Sequence, residues 1–252
     1  MSFRLVDLSH PVAPGMPVYP GDPAVAFDPA LGLAADGCRV LRLTLGTHTG
    51  THLDAPAHLL ETGATLDALG PARLAGPGLV LDLSGPSPSG PAPSGSAAIG
   101  PAASGPVAIG LDRLLPLAGR LPWGGWLLLR TGWAARWGEA DYFTAHPGLT
   151  AEAAAWLARK AGVAGLVGVG VDAPSVDLPP GEGRSGLPAH AALLGDRVLI
   201  AENLRGLELL PESGFTFLCL PPALAGADGA PARAVALIPE AAEAPEGPGP
   251  AV

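Results

Sequence analysis

Short apolar runs recur along most of the chain and alternate with segments of helical character. Eight runs combine apolar and β-branched residues over five to ten positions, which predicts β-strands. They span Arg4–Ser9, Val40–Thr49, Leu79–Leu83, Trp126–Thr131, Gly165–Asp172, Arg197–Glu202, Phe215–Leu220 and Ala232–Ile238.

Two segments between these strands carry helix signals. Thr150 is a suitable N-cap for a helix that ends at Gly162. Glu152 in its first turn and Lys160 in its last turn would complement the helix dipole. A shorter helix is predicted over Pro188–Leu194, because proline is favoured at a helix start. Since each helix leads into an apolar strand, we expect an α/β fold: a single domain with a mixed β-sheet and flanking helices.

One segment departs from this pattern. Glycine recurs at every fifth position from Gly85 to Gly110, in units such as GPSPS and GPAAS. Because these units are too poor in apolar residues to bury a core, residues 84–110 are predicted to be a flexible surface insertion. Residues 240–252 have a similar composition and are predicted to be a disordered tail. The domain itself is expected to span residues 1–239.

Composition and charge narrow the classes of function. The 252 residues include 36 Gly and 30 Pro, yet 48% of them are apolar and only 15% are charged, so the chain is expected to fold. A net charge of −9 argues against a nucleic-acid partner. We find no stretch of the ~18 apolar residues that a membrane span needs, and no signal peptide. Cys38 and Cys219 are expected to be buried free thiols, consistent with a cytoplasmic protein.

The segment Leu41–His58 contains three of the six histidines of the chain. Leucines at positions 41, 43 and 45 alternate with polar residues, which predicts a strand with its leucine face in the core. His48, His52 and Asp54 would then share the opposite, polar face. Two imidazoles and a carboxylate suit Zn²⁺ or Mn²⁺, and three protein ligands leave positions open for chemistry.

Glycine and proline are expected to shape this segment into a site. An extended strand separates His48 from His52 by about 13 Å, so both can reach one ion only if the strand curls. Gly46 and Gly50 can supply that bend. Pro56 is expected to end the strand and turn His58 back towards the same ion.

The run from His48 to His58, HTGTHLDAPAH, resembles the HxGxHxDxPxH signature of the cyclase family, which contains the bacterial kynurenine formamidases and isatin hydrolases. Other parts of the chain extend the resemblance: DLSHPVAPGMPVYPGDP, LLRTGWAARWG, HPGLT, GVDAPSVD, and the pair LPAH and AENL. The resemblance implies a swivelling β/α/β, cyclase-like fold. It also implies two divalent metal ions, with Zn²⁺ favoured and Mn²⁺ as the alternative.

The resemblance also implies roles for individual residues. One ion would be bound by the motif, and a second ion would share Asp54 with two distant residues. His58 would stay unligated as the catalytic acid and base, because an imidazole can both take up and release a proton. The implied metal ligands are His48, His52, Asp54, His190 and Glu202.

The implied activity is metal-dependent hydrolysis of a carboxamide. A kynurenine formamidase would release formate and kynurenine from N-formyl-L-kynurenine, a step in tryptophan degradation. Tyr19 would stack on the substrate at a position where formamidases of the family usually have Trp. This departure leaves isatin, another cyclic amide, or an ester open as the substrate. A non-hydrolytic cyclase and a non-catalytic binding protein also remain alternatives. The resemblance further suggests a homodimer or homotetramer.

Several residues outside the motif are expected to support the site or the core. His10 and His146 each precede a proline and are expected to be structural or to support the site. Asp172, Ser175 and Asp177 are interpreted as turn formers or as partners that orient a ligand. Trp133 and Trp137 lie at helical spacing and are expected in the core or at an interface.

Overall fold

A large mixed sheet organises the protein, whose computed structural model describes residues 2–85, 105–181 and 186–240. The strands are β1 (Phe3–Asp7), β2 (Ala26–Leu31), β3 (Val40–Thr44), β4 (His52–Asp54), β5 (Ala75–Asp82), β6 (Ala108–Ile109), β7 (Trp126–Arg130), β8 (Gly148–Leu149), β9 (Gly168–Val171), β10 (Leu199–Glu202), β11 (Phe215–Leu220), β12 (Gly229–Pro231) and β13 (Arg233–Pro239). The α-helices are α1 (Leu33–Asp36), α2 (Leu111–Leu114), α3 (Ala151–Ala164) and α4 (Pro188–Gly195).

Nine strands form the sheet, in the order β1-β13-β11-β5-β7-β9-β10-β4-β12. The four central strands, β5, β7, β9 and β10, run parallel, and the remaining neighbours pair antiparallel. The predicted mixed sheet is therefore confirmed. Strand β4 pairs with β10, so the histidine motif lies beside the end of a parallel strand, where α/β proteins commonly bind ligands.

Strand β7 shows how both faces of the sheet are covered. Leu127 and Leu129 belong to the core between the sheet and the helices. Trp126 and Leu128 point the other way, into a second core that contains Phe217. Because both faces of the strand are buried, its sequence is a continuous apolar run rather than an alternating one.

The long helix begins as predicted but ends later. The Thr150 hydroxyl accepts a hydrogen bond from the Ala153 amide at 3.2 Å, which confirms the N-cap. The helix continues past Gly162 to Ala164, and Gly165 ends it in the left-handed region at φ +63°. Lys160 is therefore not in the last turn, and its ammonium lies 4.8 Å from the Trp156 ring centroid. Helix α3 packs on α4, which begins at Pro188 as predicted.

The predicted strand Val40–Thr49 is wrong in its length and in its burial. Strand β3 ends at Thr44 and pairs only with β2, as a separate two-stranded sheet. Leu41 and Leu43 were expected in the core but are 46% and 55% exposed. Their alternation reflects strand geometry alone, because no layer of the described chain covers this hairpin. Cys38, which precedes β3, is also exposed rather than buried, whereas Cys219 is a buried free thiol as expected.

The predicted insertion is shorter than residues 84–110. Its central part, residues 86–104, lies outside the described residues, as do residues 241–252 of the predicted tail. At its C-terminal end, Ala108–Ile109 forms β6 and pairs with β8, and Ile109 is fully buried. The domain core therefore resumes before Gly110. Across the described ranges, the helices are all too short or too polar to cross a bilayer.

Candidate metal centre

A turn and a short strand, rather than one curled strand, bring the motif residues together. After β3 the chain turns at Gly46–Thr49, where the Gly46 amide donates to the Thr49 hydroxyl at 3.0 Å. This turn carries His48, which corrects the prediction that it lies on a strand. Gly50 provides the expected bend, with φ +63°, but Gly46 is not in the left-handed region. Strand β4 then carries His52 and Asp54.

The first cluster of possible ligand atoms gathers around one oxygen of Asp54. His48 Nδ1 lies 2.7 Å from Asp54 Oδ1, and His52 Nε2 lies 3.2 Å from the same oxygen. The other ring nitrogen of His52, Nδ1, donates to the Gly50 carbonyl at 2.8 Å. That bond directs His52 Nε2 towards the carboxylate. The three predicted ligands of the first ion are thus adjacent in space.

The second cluster gathers around the other oxygen of Asp54. His190 on α4 places Nε2 3.3 Å from Asp54 Oδ2 and 3.2 Å from Glu202 Oε1. Its Nδ1 lies 2.7 Å from Asp177, which fixes the ring, and the Val176 amide donates to Glu202 at 2.8 Å. The residues predicted from opposite halves of the chain therefore meet at the shared carboxylate, with Asp54 between the two clusters.

The two clusters fit divalent cations. Two ligands of a tetrahedral zinc ion, each at roughly 2.1 Å from it, lie about 3.4 Å apart. Three separations within the clusters are close to this spacing: 3.2 Å from His52 to Asp54, 3.3 Å from His190 to Asp54 and 3.2 Å from His190 to Glu202. Asp54 Oδ2 is buried and makes no hydrogen bond within the described residues, although His190 lies nearby. A buried carboxylate oxygen that accepts no hydrogen bond is a typical ligand for a cation.

The electrostatics of the site also favour positive charge. Burial opposes ionisation of Asp54, but the charge of His52 and the hydrogen bonds of the neighbouring histidines together outweigh it and hold the Asp54 pKa well below its usual range. Burial also raises the pKa of Glu202, but the charge of His190 and the hydrogen bonds from His190 and His52 together lower it to about 2. Burial lowers the pKa of His52, and the Asp54 and Glu202 carboxylates reverse this and raise it to about 10. The two buried carboxylates are therefore ionised beside positive charge, which protonated His52 and His190 or bound cations can supply.

His58 lies beside the first cluster. Pro56 begins a 3₁₀ turn that places the His58 ring 4.0 Å from the His48 ring, centroid to centroid, so the predicted turn towards the site is confirmed. His58 Nδ1 lies 3.2 Å from Asp228, whose carboxylate also lies 2.8 Å from His48 Nε2. Burial raises the pKa of Asp228, but the His48 hydrogen bond and the other polar contacts lower it to about 2. Asp228 is a site residue without a sequence signal, because a lone Asp in a Pro- and Ala-rich loop belongs to no motif.

A cavity of about 260 Å³ opens over both clusters. Tyr19 lines it and makes an edge-to-face contact with Phe143, with ring centroids 5.6 Å apart. Asp22 is part of the same wall. Tyr19 therefore lies where the prediction requires, while Phe143 was not identified, since an aromatic residue in a loop has no distinctive sequence signal.

The supporting residues divide between the site and the core. Asp177 orients His190, whereas Asp172 accepts hydrogen bonds from the Thr131 and Gly132 amides and belongs to neither cluster. Burial raises the pKa of Asp172 to about 6. His10 stacks on Trp137 at 3.9 Å, and neither it nor the buried His146 reaches the two clusters. Trp133 is in the core as expected, and Trp137 packs against it. The Ser175 hydroxyl accepts a hydrogen bond from the Asp177 amide at 3.1 Å, as expected of a turn former, and Ser175 also lines the cavity.

Gly229 offers a test of how tightly His48 is held. A Cβ atom at this position would lie 2.7 Å from the Leu53 carbonyl oxygen and 2.9 Å from His48 Cε1. We expect Gly229→Ala to displace the His48 ring and to weaken zinc binding by about 10- to 100-fold, the usual cost of losing support for a ligand. Competition with a chromogenic chelator measures this. Gly32→Ala is the matched control, because a Cβ there meets open space. Unchanged zinc affinity in Gly229→Ala would show that the His48 ring does not depend on the space that the missing side chain of Gly229 leaves.

Comparison with known proteins identifies relatives with the same fold. Residues 6–178 match the family model named Cyclase. The kynurenine formamidase of Bacillus mycoides (strain KBAB4) is 32% identical over 77% of this chain and 78% of its own length. The isatin hydrolase of Roseibium aggregatum is 30% identical over 79% of this chain and 74% of its own length.

Solved structures agree with the sequence relatives. Isatin hydrolase A from Labrenzia aggregata, bound to benzyl benzoate, superposes with a TM-score of 0.78 at 25% identity and covers 94% of both chains. A structure described as a potential metal-dependent hydrolase with cyclase activity has a TM-score of 0.69 at 26% identity, over 95% of this chain and all of the other. The family match, the relatives and the shared fold agree with the motif that runs from His48 to His58, and the chain belongs to the cyclase family.

Proposed function

We propose that this protein is a metal-dependent amidohydrolase that cleaves N-formyl-L-kynurenine into kynurenine and formate. It is a hydrolase of carbon–nitrogen bonds other than peptide bonds, as its kynurenine formamidase and isatin hydrolase relatives indicate. One observation carries the proposal: His58 lines the same cavity as His48 and His52 of the first cluster and His190 and Glu202 of the second. A nucleophile, an activated carbonyl and a proton carrier would therefore meet at one substrate.

The two clusters would hold two divalent ions. His48, His52 and Asp54 would bind the first, and Asp54, His190 and Glu202 the second. Two such ions would activate a water molecule for attack and polarise the scissile carbonyl. Imidazole and carboxylate ligands suit Zn²⁺, and Mn²⁺ is the alternative. The buried, uncommitted oxygen of Asp54 supports its role as the shared ligand.

His58 would move the proton that amide hydrolysis requires. Its Nδ1 faces Asp228, so Nε2 is the ring nitrogen left for the reacting atoms. In the reaction, the water oxygen bonds to the formyl carbon while Nε2 accepts a water proton. The carbon–nitrogen bond then breaks, and Nε2 returns the proton to the leaving nitrogen. The products are the free aromatic amine and formic acid, which balances the atoms of substrate and water; formic acid then ionises to formate and releases its proton to solvent.

The cavity walls favour an aromatic substrate. Tyr19 and Phe143 form an aromatic pair beside the ligand clusters, and Pro174 and Leu187 add apolar surface. An aromatic ring packed on such a wall gains contact area and favourable ring geometry. The Asp22 carboxylate on the same wall can pair with the α-ammonium of an amino-acid substrate. N-formyl-L-kynurenine presents both an aromatic ring and an ammonium group.

Isatin is the second candidate substrate. An isatin hydrolase superposes on this chain with a TM-score of 0.78, higher than the 0.69 of the structure described as a hydrolase with cyclase activity. Isatin is a flat aromatic amide that the Tyr19 and Phe143 wall would also accept. It has no ammonium group, so Asp22 would contribute nothing to its binding.

A substrate panel tests the proposal. Zinc-loaded and manganese-loaded protein would be assayed with N-formyl-L-kynurenine and isatin side by side, with His58→Ala as the inactive control. We expect turnover of N-formyl-L-kynurenine to exceed that of isatin. The opposite order would assign the protein to isatin hydrolysis. If metal-loaded protein hydrolyses neither, a non-hydrolytic cyclase or a non-catalytic binding protein replaces the proposal.

Asp22→Asn distinguishes the two substrates further. Loss of a charge-assisted hydrogen bond costs about 1.5–3 kcal/mol, so we expect KM for N-formyl-L-kynurenine to rise by roughly 10-fold or more. KM for isatin should stay within about twofold of the wild-type value, because isatin lacks the cation. Steady-state kinetics on both substrates measure the difference. An equal rise in both KM values would mean that Asp22 shapes the loop rather than binding an ammonium group.

A further inference from the structure

Asp228 lies between two residues that the proposed function uses for different purposes. Its Oδ2 atom is 2.8 Å from His48 Nε2 and 3.2 Å from His58 Nδ1. It stands outside the HTGTHLDAPAH motif and outside residues 6–178, where the family model matches. One oxygen atom therefore joins a candidate metal ligand to the candidate acid and base.

Backbone contacts hold Asp228 in this place. Gly229, the next residue, begins β12 opposite Asp54 in the sheet. The Asp228 carbonyl accepts a hydrogen bond from the Ala55 amide at 2.9 Å. On its other side, the Ala227 carbonyl accepts from the Leu66 amide at 2.8 Å. The register of β12 on β4 therefore sets the carboxylate beside both histidines, even though the side chain is 38% exposed.

The chemistry of a carboxylate fixes which nitrogens carry hydrogen. An ionised carboxylate only accepts hydrogen bonds, so each ring must present an N–H group to Oδ2. His48 Nδ1 also faces a carboxylate, that of Asp54, at 2.7 Å. With an ion bound in the first cluster, hydrogen on Nε2 would leave the lone pair of Nδ1 for that ion. For His58, hydrogen on Nδ1 leaves the lone pair of Nε2 for the cavity. Each ring is thus held in the tautomer that its proposed role needs.

We propose that Asp228 is a positioning residue that sets the tautomers of both His48 and His58 and so couples metal binding to proton transfer. The inference rests on the proposed function for the roles of the two histidines. A carboxylate that orients a metal-binding histidine contributes about 10- to 100-fold in metal affinity or activity. Here the same carboxylate would serve two rings, so its loss affects both properties together.

Histidine NMR of the zinc-loaded protein tests the tautomers directly. Long-range ¹H–¹⁵N spectra of protein labelled at histidine report which ring nitrogen carries hydrogen, and single His→Gln variants assign the signals. We expect the Nδ1–H form for His58 and hydrogen on Nε2 for His48. In Asp228→Ala, the His58 signals should shift towards the Nε2–H form. Unchanged spectra in Asp228→Ala would overturn the proposal.

Zinc affinity and kinetics supply a second readout. In Asp228→Asn and Asp228→Ala, zinc affinity should fall by about 10- to 100-fold, and at saturating zinc kcat should fall while KM changes by less than about twofold. Glu61→Gln removes one exposed negative charge near His58 in sequence and should match wild type. Thermal melting confirms that each variant is folded. A rise in KM alone would assign Asp228 to substrate binding and contradict the proposal.

The same measurements separate this inference from the proposed function. If wild-type protein hydrolyses no substrate in the panel, the proposed function fails, while the tautomers and zinc affinity still decide the role of Asp228. His48, His58 and Asp228 also lie close enough together to share an ion themselves. Loss of one zinc equivalent in His58→Ala would show that they do, and would overturn the positioning role.

Discussion

Asp54→Asn is expected to remove hydrolysis and to weaken the binding of both metal ions. The two oxygens of Asp54 face different clusters, Oδ1 towards His48 and His52 and Oδ2 towards His190. An amide offers one oxygen, without the charge, and so cannot serve both clusters. Loss of a residue that only orients a ligand costs about 10- to 100-fold in metal affinity, so loss of the shared ligand should cost more than 100-fold.

Equilibrium dialysis followed by elemental analysis measures this effect. Wild-type protein should retain two equivalents of zinc, and Asp54→Asn should retain at most a weakly bound remainder. Asp112→Asn is the control, because it changes an exposed aspartate remote from both clusters. Asp54 is fully buried, so thermal melting of each variant is needed to separate metal loss from unfolding. If folded Asp54→Asn keeps both ions, the shared-carboxylate arrangement is wrong.

Strand β7 could be predicted from sequence because both of its faces are buried, which makes Trp126–Leu129 a continuous apolar run. Strand β11 could be predicted because Phe215, Phe217 and Cys219 are buried and alternate with more exposed residues. The structure places both strands within one residue of the predictions. The N-cap at Thr150 and the start of α4 at Pro188 were also readable, since capping depends on local chemistry. These elements fix the sheet and the helix that carries His190.

The outer strands could not be predicted in the same way. Leu41 and Leu43 alternate with polar residues as a half-buried strand would, yet they belong to an exposed hairpin. Alternation reports which residues share a face and carries no information about what covers that face. Strand β4 has only three residues, too few for a periodic signal, although it carries two candidate ligands.

The candidate site contains residues that a sequence motif identifies and residues that only strand pairing brings there. His48, His52, Asp54 and His58 form one dense motif, and the resemblance to the family extended it to His190 and Glu202. Asp228 and Phe143 have no such motif. Asp228 reaches the site through the pairing of β12 with β4, whose paired residues are 175 to 179 positions apart in the sequence. Only the folded chain reveals such partners.

His58→Ala is expected to lower kcat strongly while both metal ions stay bound. General acid and base catalysis contributes about 10²- to 10⁴-fold, and we expect a loss in this range on whichever substrate the wild type hydrolyses. His58 belongs to neither ligand cluster that contains Asp54, so zinc content should remain at the wild-type level. Steady-state kinetics and elemental analysis on the same preparation test both halves of this prediction.

The control for this change is His10→Ala. His10 stacks on Trp137 away from the cavity lining, so its loss should leave kcat within about twofold when assayed below the melting temperature of the variant. Added imidazole should restore part of the activity of His58→Ala, because the vacated space opens into the cavity and a free base can carry the proton. Wild-type kcat in His58→Ala would place the proton carrier elsewhere. A parallel loss of metal and activity would instead make His58 a ligand, since a residue that only moves protons leaves binding intact.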